Sequence, residues 1–299
     1  MSQKTIFVSG SESFIGKALR RRCESLGIKF TGVDLAPSSA PGTHVMDMLD
    51  PKVADLIPEG ADALVHLAAI SRDKDCRDNP RQAFDINVNG TVNLMKAAKA
   101  RNVKQFIFAS SEWVYGNVGG SVQREDDPID ITKVFSEYAI TKLAGEQLLR
   151  CAVERGDFMP TTVLRFGIVY GPRPKPMSAV EGLLREVEEL DVLPINGSAS
   201  SGRRFIHVED IVSGILASIG QPGFQVFNLS GDKLVSLREV AEAAGKLLGR
   251  SPQLKESDPK AITSRNPDNS KAKSVLGWAP QYDIAAGLKN LQDARAAAK

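Results

Sequence analysis

TIFVSGSESFIGKALRRRCESLGIKFTGVD, residues 5–34, carries the pattern that decides the fold of this 299-residue chain. The apolar run Thr5-Ile6-Phe7-Val8 leads into a glycine-bearing turn. From Ile15 to Ser25, apolar residues then recur three and four apart, as on one face of a helix. A second strand-like run ends at Val33-Asp34. The alternation continues outward, with candidate strands at 4–8, 28–33, 62–67 and 104–110 and an amphipathic stretch from Gln82 to Ala100. This is the texture of an α/β fold, a Rossmann-type doubly wound parallel sheet built from strand-helix-strand units. A helix from about Ser136 to Arg155 and a strand from Thr161 to Ile168 extend it. Gly171-Pro172-Arg173-Pro174-Lys175-Pro176 then breaks the pattern. We read residues 1–170 as a nucleotide-binding domain, with returning strands at Phe205–Val208 and Phe224–Leu229 in a segment near 203–230. Residues 171–202 and 231–299 form a smaller C-terminal substrate-binding lobe in this reading.

Composition narrows the function classes. Lys and Arg number 38 against 36 Asp and Glu, net +2, and no long single-sign run offers a nucleic-acid backbone or an anionic membrane a patch. Cys23, Cys76 and Cys151 are an odd number at wide spacing, with no Cys-x-x-Cys pair and no clustered histidines. Neither a disulfide framework nor a metal site is expected, and a reducing, cytoplasmic setting fits. No apolar stretch approaches the roughly 18 residues of a membrane span, and the N-terminus shows no apolar signal region. A soluble protein, unprocessed as written, is expected.

The turn Gly10-Ser11-Glu12-Ser13-Phe14-Ile15-Gly16 lies where a helix N-terminus can present backbone N–H groups to a pyrophosphate. Gly10 and Gly16 stand at the outer glycine positions, and Ser13 replaces the middle one. Ser13 adds a hydroxyl able to donate to phosphate, whereas Glu12 repels phosphate unless it points outward. Asp34, about twenty residues on, is placed to take the adenosine ribose hydroxyls and repels a 2'-phosphate, which favours NAD over NADP. Asp47 and Met48 are read as framing the adenine.

Tyr138-Ala139-Ile140-Thr141-Lys142 puts a phenol and an ammonium one turn apart on a helix face. An adjacent ammonium, with the nicotinamide's own positive charge, stabilises a phenolate, so Tyr138 can take a proton from a substrate hydroxyl as hydride leaves the same carbon. Further segments match in order: His66-Leu67-Ala68-Ala69, Asn87-Val88-Asn89-Gly90-Thr91, FIFASSEWVYG at 106–116, Leu164-Arg165-Phe166, Val169-Tyr170-Gly171-Pro172, RRFIHVED at 203–210 and DNSKAKSVLGWAP at 268–280. In these, over nearly its whole length, the chain resembles the extended short-chain dehydrogenase/reductases, the NAD-dependent sugar epimerase/dehydratase group. The resemblance implies that Tyr138 is the base, Ser111 holds the substrate oxygen, and Lys142 anchors the nicotinamide ribose and lowers the phenol's pKa. Counting four back from Tyr115 selects Ser111 over Ser110, which is read as structural. Leu67, Ala68 and Ala69 imply close backbone approach to the cofactor, and His66 packing rather than acid-base work. Leu276-Gly277-Trp278 reads as a helix stop with a packed aromatic, and Asn87 as a hydrogen-bonder on a helix face.

The resemblance leaves several reactions open. Dehydratases of the group place an Asp-Glu pair after the catalytic hydroxyl residue, and here the positions are Glu112 and Trp113. Glu112 can serve as an accessory acid, but indole has no proton to exchange. A 4-epimerase needs no further base, because the transient 4-keto sugar turns over and takes the hydride back on its other face. A nucleotide-sugar 4-epimerase is therefore the favoured reading. A dehydratase using Glu112 with a base from elsewhere, a sugar or polyol dehydrogenase releasing NADH, and a non-catalytic NAD-binding regulator remain as alternatives. Arg203 matches the diphosphate-binding arginine of UDP-sugar epimerases, Arg173 and Lys175 are further anion-binding candidates, and Trp113 and Tyr115 are read as lining the pocket. The second Arg-x-x-Asp signature of those enzymes is not recognisable, and a smaller polyol or sugar acid stays open as substrate. The stretches Gln82–Ala100 and Ser136–Arg155 resemble the helix pair of the family's homodimer, with Val88, Val92, Met95, Ala139, Leu143 and Leu148 as candidate contacts.

Overall fold

The structure, a computed structural model, describes residues 3–175 and 178–297. Its core is a seven-stranded parallel sheet. In chain order we name the strands β1 (Thr5–Ser9), β2 (Lys29–Asp34), β3 (Thr43–Val45), β4 (Ala63–His66), β5 (Phe106–Ser111), β6 (Thr161–Phe166) and β7 (Phe224–Leu229). Across the sheet they lie in the order β7-β6-β5-β4-β1-β2-β3. The order reverses between β1 and β4, and their carboxyl ends form the switch point at which doubly wound sheets bind ligands. The register pairs Ser9 with both Val33 and His66, which sets the Gly-rich turn beside the chain leaving β4.

Three helices matter most for the site: α1 (Phe14–Ser25), α2 (Gly90–Ala100) and α3 (Glu137–Glu154). Ala18, Leu19 and Cys23 form the buried stripe of α1, and Ser13 caps its N-terminus by accepting from the Gly16 N–H at 3.0 Å. Ser136 caps α3 in the same way, taking the Ala139 N–H. Phe7, Leu64, Leu94, Phe106, Phe108, Leu149 and Val163 anchor the core between sheet and helices.

The amphipathic stretch read as one helix from Gln82 to Ala100 is interrupted. A short helix, Pro80–Phe84, passes through a π-helical turn, Asp85–Asn89, before α2 begins. Within that turn the Asn87 carbonyl accepts from the Thr91 hydroxyl at 2.7 Å. Strand β3, a short run at the sheet edge, is an addition to the expected set. Phe205–Val208 shortens to a two-residue strand, Ile206–His207, paired with Val169–Tyr170, because a helix starts at Val208.

By internal contacts the chain forms two compact units. One takes residues up to Gly116, Val134–Arg165 and Ile215–Phe227; the other takes Asn117–Lys133, Phe166–Gly214 and Asn228 onward. The second unit has its own core, with Tyr170, Leu183, Leu184, Val240 and Leu288 at its centre. Two of its sequence motifs are bracing. Asp210 accepts from the backbone N–H groups of Gln281 and Tyr282, and Trp278 Nε1 donates to the Asp210 carbonyl at 3.0 Å. Gly277, in the left-handed region at φ 61°, ends the Ser270–Leu276 helix just before this tryptophan.

Candidate active site

At the end of β1 the turn is held against β2 and β4. The N–H groups of Gly10 and Ser11 donate to the Val33 carbonyl, and those of Leu67 and Ala68 to the Ser9 carbonyl. Gly10 sits at φ 77°, and a Cβ there would stand 2.7 Å from the Ala68 nitrogen. A Cβ on Gly16 would stand 2.3 Å from the Gly10 carbonyl oxygen. Only glycine permits this cradle at both positions. Asp34 accepts the Glu12 N–H through Oδ2 and the Ala36 N–H through Oδ1, each at 2.9 Å. The Glu12 carboxylate, expected to burden a phosphate site, is neutralised by Arg20 at 2.5 Å and Lys17 at 3.5 Å. Desolvation would raise its pKa, but Ser38 and these two cations together hold it below the ordinary value.

Phe14 and Ile15 are half-buried in the first turn of α1, and Ala69 follows Ala68 in the chain leaving β4. Asp47 is exposed, and its Oδ1 accepts the Leu49 N–H. Met48 differs from expectation. It is buried in the core, where a Cβ on Gly90 would meet its Cε at 2.6 Å, because Gly90 leaves room for the thioether.

Ser111 ends β5, and its Oγ accepts the Trp113 N–H at 3.3 Å. That leaves the hydroxyl hydrogen to be donated, and the Ser111 side chain lies near enough to the Tyr138 phenol to lower its pKa. Lys142 is buried, with Nζ 4.9 Å from the Phe108 ring centroid and 5.8 Å from that of Tyr138. Desolvation brings its pKa down to about 8, against the opposing effects of Cys76 and Glu146. From the protein's own groups alone, the Tyr138 phenol lies above its ordinary value, because desolvation outweighs the lowering effect of Ser111. In this protein alone the phenol is neutral, and a further positive charge is needed to make it a base near pH 7.

Asn87 is the positioning residue that sequence reading undervalued. Its Nδ2 donates to the Ile70 carbonyl and to Thr141 Oγ1, both at 3.0 Å, and its Oδ1 accepts the Ile70 N–H at 2.8 Å. Thr141 in turn donates to the Tyr138 carbonyl at 2.7 Å. One amide thereby ties the chain after β4 to the helical turn that carries Tyr138 and Lys142. The π-helical turn around Asn87 was the missing signal, since such turns gather at functional sites.

His66 is structural, as read. Its ring nitrogens contact Ser9 Oγ at 2.7 Å and Thr91 Oγ1 at 3.0 Å, and burial lowers its pKa to about 3. His207, in the second unit, is lowered to about 4 by burial. Below pH 6.5 the unfolded chain binds protons that these folded imidazoles refuse, so stability falls as pH falls. Urea unfolding at pH 5 is expected to show roughly 2 kcal/mol less stability per imidazole than at pH 7. Equal stability at the two pH values would contradict the assignment of both as buried and neutral.

The profile of the NAD-dependent epimerase/dehydratase family matches residues 6–230, a span containing the Gly-rich turn, Ser111, Tyr138 and Lys142. The chain belongs to this enzyme family. Its relatives include UDP-sugar epimerases, dehydratases and decarboxylases. A Bacillus subtilis protein named as an uncharacterized UDP-glucose epimerase, YtcB, is 31% identical over 311 residues, 95% of this chain and 96% of that one. A dTDP-glucose 4,6-dehydratase of Streptomyces griseus is 30% identical over 256 residues, 83% of this chain and 72% of that one. The structure of MoeE5 in complex with UDP-glucuronic acid and NAD superposes with a TM-score of 0.88 at 28% identity, covering 99% of this chain and 100% of that one. NAD is the family's cofactor, and the cradle at Gly10 and Gly16 with Asp34 beyond it fits that dinucleotide.

Three expected pocket residues are already engaged in this epimerase/dehydratase. Arg173 is paired with Glu181, Nε lying 2.8 Å from both carboxylate oxygens and Nη2 2.6 Å from Oε1, so its charge is neutralised rather than offered to an anion. Tyr115 is buried, and its hydroxyl accepts from Arg165 Nη1 at 3.0 Å, which places it in the interior and not on a pocket wall. Arg203 donates through Nη1 to the Gly202 and Thr263 carbonyls and through Nη2 to the Thr263 hydroxyl. Trp113 is half-buried, and Glu112 beside it is fully buried. Among the described residues no His, Cys, Asp and Glu cluster could hold a metal ion, and no helix is long and apolar enough to cross a membrane.

Proposed function

We propose that this chain is a nucleotide-sugar 4-epimerase. The observation that carries the reading is the grouping of Ser111, Tyr138 and Lys142, with Lys142 Nζ 5.8 Å from the Tyr138 ring centroid, followed at Glu112-Trp113 by one carboxylate where a two-carboxylate dehydratase needs two. The relatives named as epimerases support it.

The first unit carries the dinucleotide in this reading: Gly10, Ser13, Phe14, Ile15 and Gly16 take the pyrophosphate on the turn and the α1 N-terminus, and Asp34 takes the adenosine ribose. Arg203, in the second unit, is the candidate for the diphosphate of the sugar nucleotide. NAD, when bound, would supply a positively charged nicotinamide ring able to accept a hydride and return it. Ser111 donates its hydroxyl hydrogen to the C4 oxygen, holding it beside the phenol. Tyr138 accepts the C4 hydroxyl proton and returns it once the ketone has turned over. Lys142, protonated below pH 8, keeps positive charge next to the phenolate. The test is incubation of NAD-loaded protein with UDP-glucose, UDP-glucuronate, GDP-mannose and dTDP-glucose, followed by anion-exchange chromatography. A C4 epimer without accumulating NADH is expected; a dehydrated product or stoichiometric NADH would replace the reading.

The protein assembles as a homodimer in this reading, through α3 and the helical stretch before and through α2. Ala139 and Leu143, two of the expected contacts, are buried within the monomer and are not available to a partner. Phe84, Ile140 and Leu148 are 41%, 39% and 39% exposed and are the better contacts. Leu148→Arg combined with Ile140→Arg is expected to turn a dimer mass in small-angle scattering into a monomer mass. A wild-type monomer at micromolar concentration would remove the proposal.

A further inference from the structure

Behind the reactive groups of the first unit lies a buried ionic network that the mechanism above does not use. Glu146, on α3 one turn beyond Lys142, accepts from Arg165 of β6 through two bonds, Nε to Oε1 at 3.1 Å and Nη2 to Oε2 at 2.7 Å. Its Oε1 also accepts from Ser110 Oγ at 2.5 Å. The remaining arm of Arg165 donates to the Tyr115 hydroxyl, and the guanidinium carbon sits 4.9 Å from that ring's centroid. The pair is almost wholly enclosed, with side-chain exposures of 4% and 1%.

A buried ion pair is a poor stability device, since desolvation consumes most of its attraction and apolar replacements are commonly as stable. What distinguishes this one is where its partners sit in the chain. Ser110 immediately precedes Ser111. Tyr115 closes the 3-10 turn Glu112–Tyr115 that carries Glu112 and Trp113. Glu146 lies on the same face of α3 as Tyr138 and Lys142, at successive one-turn steps. Beside it, Gly145 lets the helix close onto β5, for a Cβ there would stand 2.6 Å from Phe108 Cζ.

The geometry points to Glu146 and Arg165 as positioning residues, a pair that fixes the Ser111 strand end against the Tyr138–Lys142 helix face. The groups facing Lys142 are few: Tyr138 and Glu146 from its own helix, Cys76 from the Asp73–Asp78 helix, His66 from β4 and the Phe108 ring from β5. His66 is neutral near pH 7, and burial pushes the Cys76 thiol up, so it too is neutral. Glu146 is the carboxylate in this set, and Arg165 of β6, bound to it through two bonds, offsets its charge.

The kinetic part of the test rests on the epimerase reading; the titration part does not. Glu146→Gln keeps the shape and removes the charge. A second variant, Ser110→Ala/Tyr115→Phe/Glu146→Met/Arg165→Met, makes the network apolar without leaving any of its four members unpaired. In protein labelled with [ζ-15N]lysine, the Lys142 resonance, assigned by its loss in Lys142→Arg, is expected to titrate lower in Glu146→Gln, which leaves the Arg165 charge uncompensated, and to keep its midpoint in the apolar variant, which removes both charges. With NAD and the sugar that the wild type turns over, kcat is expected to fall at least 30-fold in both variants with KM within threefold. An unchanged midpoint in Glu146→Gln or an unchanged kcat in either folded variant overturns the proposal, and so does failure of both variants to fold, which would make the network purely structural. If the wild type turns over no nucleotide sugar, the epimerase reading falls and the lysine titration decides the positioning role alone.

Discussion

Tyr138→Phe is expected to abolish turnover while the protein still folds and still binds NAD. The substitution removes one oxygen from a half-buried ring and leaves the packing around it in place. It deletes the group that accepts the substrate proton. A positioned acid-base group is worth up to roughly 10⁴-fold in rate, so turnover should fall by about 10³-fold or more. The wild-type rate should rise with pH through neutrality, because the phenol lies above its ordinary pKa and must lose its proton to act. The residual rate of the variant should lack that rise. Nicotinamide fluorescence titration together with product assays at several pH values separates binding from chemistry. Turnover within tenfold of wild type would remove Tyr138 as the base.

Gly16→Val should have an effect of the opposite kind, abolishing binding rather than chemistry. A Cβ at residue 16 would stand 2.3 Å from the Gly10 oxygen and 2.7 Å from the Ser11 oxygen, both backbone atoms of the turn. The turn itself must move, because it cannot rotate away as a side chain would. A Cβ at Gly10 would stand 2.7 Å from the Ala68 nitrogen, so the turn is closely packed there and has little slack to use. Overpacking of this kind costs about 1–3 kcal/mol of stability. A distorted cradle should weaken NAD binding by roughly 100-fold, a loss near 2.7 kcal/mol. Thermal melting and NADH titration give the two numbers independently. Normal NAD affinity in a folded variant would show that the turn does not carry the dinucleotide.

The parts of this protein legible in its sequence are those governed by local spacing. The alternation of Thr5–Val8, Ile15–Ser25 and the run ending at Val33-Asp34 needs no tertiary information, and the strands fall within one or two residues of their expected places. Tyr138 and Lys142 are one helical turn apart whatever surrounds them. What local spacing does not carry is which charges meet. Arg173 looked available until Glu181, eight residues on, reached it. Arg165 and Glu146 come from a strand and a helix and find each other only when both are buried.

The pKa of Tyr138 is not legible in the sequence for a related reason. Spacing gives the distance from phenol to ammonium, but the sequence does not say how much water is removed from both. Burial raises one group and lowers the other, so the pair cannot be read as a simple attraction. Tyr115 is the same lesson in a core residue, for only the fold shows that Arg165 occupies its hydroxyl. In the second unit, Asp210 and Trp278 could be taken for substrate contacts by type alone, yet their partners are the backbone around residues 210 and 281.

The measurement that tests the central claim most directly is proton NMR of the purified protein in deuterated water, with one equivalent of NAD and a panel of UDP-, GDP- and dTDP-sugars. The account predicts a new C4 epimer with no solvent deuterium in its carbon-bound positions and no net NADH, because the same hydride leaves and returns. Deuterium entering the carbon beside the ketone with loss of water would contradict it and make Glu112 the residue to substitute next.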